Sequence, residues 1–377
     1  MSKADGLLLR KEGAKTISAK KLIYIILAAV NAVCIAVLIC LYIAFVGIAE
    51  KLPSQNVVSG WQGEKGGRFS QLSVFISEGS GLDLNEVRRM RADTEKKLTE
   101  NSLAAEKEGA RIYFDGFSCS EMKLSVTTMS ESYAPNIEAN TIVTGGDFFR
   151  FHPLELLSGC YYSDDDLMQD RIVIDETLAW QLFGSSNVSG MAVSIGGKIF
   201  DVAGVVKSEQ DKASQYVLGS KPYMYISYGG IQLVGDAPEI TCYETVLPDP
   251  VKGLARTILT DVLSVPEKEY ILAENTNRYS IPKIFKVAFD GGKRAVVDKA
   301  VVYPYWENAA RINEENAADI LAVMTVLLCI PIITVLYFVV LLFIKRKAIL
   351  HKLAEIIREK AGQTIAFLKQ KTLKGGN

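Results

Sequence analysis

LIYIILAAVNAVCIAVLICLYIAFVGIA, residues 22–49, runs for 28 residues without a charge. At roughly 1.5 Å of rise per helical residue it is long enough to cross a hydrocarbon layer about 30 Å thick. It is much longer than the apolar core of a secretory signal, about 7 to 15 residues. No small-x-small cleavage site separates it from Glu50 and Lys51, so it reads as an uncleaved anchor. A second run, residues 320–344, places 25 uncharged residues between Asp319 and Lys345. The two runs lift the hydrophobic share to 49% and the mean hydropathy to +0.16, which excludes a soluble enzyme.

Charge divides along the same lines. Residues 1–21 carry six basic and two acidic side chains, residues 345–377 nine and two, and the segment between the runs 27 and 39, within a net charge of -1. Basic flanks of membrane spans are retained in the cytoplasm. Both termini are therefore expected inside a cell membrane (plasma or inner), with residues about 50–319 outside it. Neither run contains Asp, Glu, Lys, Arg or His, which leaves no proton relay or ion path within the spans. Asn31 reads equally as an interhelical hydrogen bonder or a functional polar residue. Pro331 is expected to kink the second span and to call for a neighbouring helix.

The expected organisation is a cytoplasmic basic tail over 1–21, a transmembrane helix over 22–49 and a linker over 50–67. An extracytoplasmic core over 68–304 and a stalk helix over 305–319 follow, then a second transmembrane helix over 320–344 and an amphipathic tail over 345–377. The fold class is an α+β membrane protein in which two transmembrane helices flank an extracytoplasmic α+β domain. Leu72–Ser77 alternates like a strand, residues 82–103 read as a charged helix, and Arg111–Phe114 opens another strand. A second strand-helix-strand unit is expected late in the domain: strand 242–247, a helix from Asp249-Pro250 to about Val265, and a strand over 281–289. Between the units lies a β-rich insertion, about 137–228. Its strands are expected at 172–174, 191–195, 200–206 and 223–226, with Gly196-Gly197 as a hairpin turn.

The insertion carries an ordered set of short motifs. Gly145-Gly146-Asp147-Phe148-Phe149 is followed by Leu156-Leu157-Ser158-Gly159 and Tyr162-Ser163. Next come Ile172-Val173-Ile174-Asp175 through Leu182-Phe183-Gly184, then Gly190, then Phe200 through Gly204-Val205-Val206. In this order they resemble the extracytoplasmic core domain of MacB/FtsX-type ABC transporter permeases, over about residues 20–365. The resemblance makes Asp147, Phe148, Phe149, Gly159, Asp175, Leu182, Phe183, Gly184, Gly190 and Gly204 the core-domain signature. Cys160 stands where the family usually has Arg.

In the tail, Ile349, Leu350, Leu353, Ile356, Ile357 and Ala361 form an apolar helical stripe. One reading lays this basic helix on anionic headgroups. The other follows the resemblance: Glu355, Ile356, Arg358, Ala361 and Gly362 are similar to the family segment that docks on the nucleotide-binding subunit. Here Ile357 replaces the first glycine, and Gly362 comes one residue early. Family members continue with two more spans, whereas no further apolar run follows here. The resemblance thus implies a two-span half-permease, partnered by an ABC ATP-binding subunit and by a further permease subunit supplying the missing helices, or by self-association, within the lipid bilayer. No nucleic-acid partner is expected.

Chemistry of its own is not expected. No GxxxxGK[ST] phosphate cradle is present, so no cofactor is expected and ATP belongs to a partner subunit. His152 and His351 are the only histidines and fall on opposite sides of the membrane, which excludes a histidine metal cluster. His152 reads as a packed loop residue. Asp164-Asp165-Asp166 lacks the EF-hand spacing and reads as a solvated turn capping a short helix through Met168. Cys119, Cys160 and Cys242 admit one disulfide and require none. Tyr303, Tyr305 and Trp306 are expected to pack in the stalk. The functional expectation is a non-enzymatic permease-type subunit that couples ATP hydrolysis by a partner to movement of the outer domain. The alternative is a two-span sensor or scaffold whose outer domain binds a ligand or envelope protein without an ATPase.

Overall fold

The computed structural model describes residues 19–50, 53–55, 57–58, 61, 67–103, 111–129, 135–290 and 301–374. Most of the basic N-terminal tail and parts of the expected linker lie outside them. The chain separates into an outer module, residues 45–321, and a helical unit formed by the remainder.

Helix α1 (Ala19–Glu50) is followed by β1 (Phe69–Ile76), α2 (Leu84–Glu100) and β2 (Phe114–Cys119). A capping box starts α2: the Asp83 carboxylate accepts from the Glu86 amide at 2.7 Å, and Glu86 accepts from the Asp83 amide at 3.0 Å. The matching late unit is β10 (Ile240–Pro248), α7 (Leu254–Val262) and β11 (Tyr270–Glu274). These four strands lie antiparallel in the order β11-β1-β10-β2, the split βαβ arrangement. Strand parity then separates two faces. Leu72, Val74, Ile76, Tyr243 and Leu247 join Val87 and Met90 of α2 and Ile258 and Leu259 of α7 in one apolar core. The other face presents Gln71, Ser73, Phe75, Cys242 and Glu244, all buried.

Between β2 and β10 the chain builds a second body. It comprises β3 (Met122–Thr128), β4 (Asn136–Gly146), the short helix α3 (Phe148–Phe151), β5 (Leu156–Gly159), β6 (Arg171–Asp175) and α4 (Glu176–Phe183). It continues with β7 (Ala192–Ile195), β8 (Lys198–Val206), α5 (Lys212–Leu218), β9 (Tyr223–Ser227) and α6 (Tyr228–Val234). The pairings β4-β3-β7-β8-β6-β9 return to β4 and close a six-stranded ring, which leaves no free edge among those strands. Ring closure recruits β3, ahead of the expected start at Ile137. Gly196 and Gly197 make the β7–β8 turn at φ +55° and +78°, the left-handed pair a tight hairpin requires.

Three expectations are corrected. Residues 281–290 are helix α8 (Ile281–Asp290), not a strand, and β11 closes the late unit instead. Apolar residues at 281, 284, 285, 288 and 289 follow the helical period, and Pro282 is tolerated in a first helical turn but removes a ladder donor from a strand. The helix of the late unit, α7, begins at Leu254 rather than at Pro250. Asp249 nevertheless reaches its first turn, accepting from the Ala255 amide at 3.2 Å and from Ser70 Oγ at 2.9 Å. No helix follows Asp164-Asp165-Asp166; Asp164 instead accepts from the Gly146 amide, and Asp166 from the Ser163 amide at 3.1 Å.

Helix α9 (Tyr305–Lys374) is continuous through Pro331. In the helical unit, Asn31 of α1 donates to the Leu27 carbonyl at 2.8 Å and to Thr334 Oγ1 of α9 at 3.1 Å, and Tyr24 meets Phe338 at 6.0 Å between ring centroids. The side chains there are overwhelmingly apolar and exposed, as lipid-facing helices require. Asn31 is thus an interhelical hydrogen bonder.

Candidate functional site

The polar face of the four-stranded sheet receives the first turns of α9. Tyr305 and Trp306 are buried there with Phe75, Phe148, Tyr225 and Cys242. Trp306 stands 4.3 Å from the His152 ring and 5.6 Å from Phe148, and Phe75 meets Tyr303 edge-on at 5.3 Å. Tyr305 donates to Glu209 at 3.2 Å, a carboxylate whose pKa burial raises, and its hydroxyl lies 3.2 Å from that of Tyr225. The three aromatics beside the second span therefore pack into the outer module. Two clefts, of about 410 and 280 Å³, share Lys221 and Tyr223 as walls, and Tyr305 lines the smaller.

Below this aromatic seat lies an ionic clamp. Arg278, buried at 6% exposure, makes a two-pronged contact with Glu307, 2.7 and 2.9 Å, and another with Glu314, 2.9 and 3.2 Å. It also donates to Gln55 and Asn275, each at 3.1 Å. Arg311 reaches Glu307 at 2.8 Å and lies over the Tyr303 ring at 3.9 Å. The fork geometry of guanidinium satisfies both carboxylates at once. Burial alone lowers the pKa of Arg278, but Glu307 and Glu314 outweigh it and the net shift is upward. For Glu307, burial raises the pKa, while Arg278 and Arg311 carry it below the ordinary 4.5.

From the clamp a chain of buried hydrogen bonds crosses the sheet. Asn275 donates to Ser73 Oγ at 2.8 Å, Ser73 donates to Glu244 at 2.8 Å, and the other Glu244 oxygen stands 2.5 Å from His152 Nε2. His152 follows α3, so the signature helix and the stem of α9 are tied through one polar path.

The depressed pKa of Glu307 fixes the sign of a pH effect. A carboxylate held below its unfolded value contributes stability above about pH 4.3, and that contribution is lost as pH falls through the folded pKa. Thermal unfolding of the full chain in detergent is expected to show a drop in Tm below pH 4.5 that is smaller in Glu307→Gln. Parallel profiles for the two proteins would contradict this assignment.

The structure places the signature residues in the frame of the ring and its seat rather than in a reactive centre. Phe148 is buried against Trp306 and His152, and Phe149 stacks on Tyr161 at 4.3 Å. Asp147 precedes α3 and pairs with Arg150 at 3.5 Å. Asp175 caps α4, accepting from the Leu178 amide at 2.9 Å and the Tyr223 amide at 3.0 Å, with its pKa raised by burial. Leu182 is buried, Phe183 is half-buried, and Gly184 ends α4 in the left-handed region. Gly159 and Gly204 face each other across β5 and β8, and Gly190 donates to the Val202 carbonyl at 2.8 Å. Cys160 is exposed, and Cys119 and Cys242 are buried free thiols.

In the helical unit, Glu355, Ile356, Arg358, Ala361 and Gly362 lie on α9, all exposed, with Glu355 3.5 Å from His351. Sequence reading missed the clamp, although Glu307, Arg311 and Glu314 at i, i+4 and i+7, flanked by Ala309, Ala310, Ala317 and Ala318, mark one polar stripe on a small-residue stem.

The family described as MacB-like periplasmic core domain matches residues 28–250, and the chain belongs to it. Among solved structures, the chain is similar to the periplasmic region of MacB from Actinobacillus actinomycetemcomitans, at 17% identity and a TM-score of 0.38 over 59% of this chain and 94% of that one. It is also similar to the extracellular domain of the noncanonic ABC-type transporter YknZ from Gram-positive bacteria, at 13% identity and a TM-score of 0.37 over 54% and 99%. No curated protein matches it.

Proposed function

We propose that the chain is a permease-type subunit of an ABC transporter complex, in which a partner subunit binds and hydrolyses ATP and this chain passes the resulting movement to its outer module. The observation that carries the reading is α9, one helix whose first turns are locked by Arg278 and which bears the exposed Glu355–Gly362 segment beyond the second apolar run. Membership of the MacB-like family supports it. In this reading both termini are cytoplasmic and residues about 50–319 are extracytoplasmic, in accord with the basic tails. A displacement of the tail is carried along the helix as a rigid-body motion, and the clamp prevents its loss at the stem.

Reversing the tail charges with Glu355→Lys and Arg358→Glu is expected to abolish the ATPase response of the assembled complex while leaving the unfolding of the outer module unchanged. ATPase assays on the purified complex, paired with thermal unfolding, check this; an undiminished response would refute the docking role. The second reading, a sensor or scaffold without an ATPase, draws on the two adjoining clefts, the smaller of which the stem residues Tyr305 and Trp306 line. Co-purification in mild detergent separates the readings: a retained ATP-binding subunit supports the permease, and its absence the scaffold.

A further inference from the structure

Helix α8 divides sharply between a buried face and a bare one. Ile284 and Val287 pack in a cluster with Phe45 of α1 and with Ala317, Ala318 and Leu321 of α9. Ile281, Phe285 and Phe289, spaced at i, i+4 and i+8 on another side of the helix, remain 51%, 37% and 80% exposed. The two phenyl rings touch, with centroids 5.5 Å apart. Water is an unfavourable neighbour for a contiguous aromatic stripe.

The position of the stripe identifies its occupant. Phe45 and Ile48 belong to the apolar run that ends at Ala49, and Leu321 to the run that begins at Ile320. A helix packed on those residues stands at the level where both runs leave hydrocarbon. The bare face is therefore carried where the chain enters and leaves its two apolar runs. Lys286, exposed one residue beyond Phe285, adds a cation at headgroup depth, whereas Lys283 is turned inward to the Thr276 carbonyl at 2.8 Å. An apolar stripe beside an exposed lysine is the pattern of a helix seated in a bilayer interface.

We propose that α8 lies in the outer interface of the bilayer, with Ile281, Phe285 and Phe289 against the acyl chains and Lys286 among the headgroups, so that the outer module rests on lipid as well as on its two stems. The proposal needs only the spans to be in a membrane and is independent of any ATPase. Its test places the photoreactive p-benzoylphenylalanine at position 285, at 289 and, as a control, at 216, where Tyr216 is 83% exposed on α5. The full chain is reconstituted in vesicles of phosphatidylcholine and phosphatidylglycerol and irradiated, and adducts are read by mass spectrometry. Phospholipid adducts at 285 and 289 with none at 216 are expected. Adducts to a second copy of the chain at either stripe position, or no adduct at both, would overturn it. All three positions are exposed, so an aromatic replacement leaves the core intact.

Discussion

Replacing Arg278 with alanine is expected to destabilise the outer module by about 3–5 kcal/mol, the cost of removing one member of a buried ion-pair network. Glu307 would keep Arg311, but Glu314 would lose both of its contacts to the Arg278 guanidinium. For a module of this size the loss corresponds to a fall in Tm of roughly 6–20 °C. Arg278→Lys should recover only part of it, because a single ammonium cannot make two forked contacts. A triple variant, Arg278→Met with Glu307→Gln and Glu314→Gln, should recover more than Arg278→Lys, since it removes the two buried carboxylate charges together with the guanidinium that binds them. Thermal unfolding of the full chain in detergent measures all three. An Arg278→Ala protein as stable as the parent would show that the clamp does not hold the stem.

The second large effect is expected at Gly159. Its φ of +75° already disfavours a side chain, and an added Cβ would stand 2.0 Å from the Ala203 carbonyl oxygen and 2.6 Å from Ser189 Oγ. The backbone strain and the forced separation of β5 from β8 together are expected to cost about 2–5 kcal/mol in Gly159→Ala. Gly184→Ala is the matched comparison, because φ is +68° there and nothing lies within 4 Å of the added methyl. That variant should lose only about 1 kcal/mol, the backbone cost alone. Equal losses at the two positions would mean that the close approach of the strands contributes nothing.

These two sites mark the limits of what the sequence discloses. Local rules reach the spans, the charged helix α2 and four of the six ring strands, because each is written in a run of neighbours: 28 uncharged residues, the charged stretch 82–103, Gly196 with Gly197. Gly159 and Gly204 were legible as a motif, but their reason, two backbones meeting across β5 and β8, appears only in the pairing. The α8 segment misled because Ile281, Lys283, Phe285, Val287 and Phe289 lie on one parity, while its helical period was equally present. Arg278, in the turn before α8, gave no local sign, since its carboxylate partners lie 29 and 36 residues away on α9. The closed ring was equally hidden, because the parallel pairing of β4 with β9 joins residues some 80 positions apart.

The clamp and the long helix together carry the central claim, that movement at the tail reaches the outer module. Hydrogen exchange of the assembled complex, compared with ATP-analogue-trapped and nucleotide-free states, tests it most directly. The account predicts changed exchange in the stem turns 305–321 and in the strands that seat them, and loss of that change in the tail charge-reversal variant. A nucleotide response confined to the cytoplasmic tail, with the outer module unaltered, would contradict it.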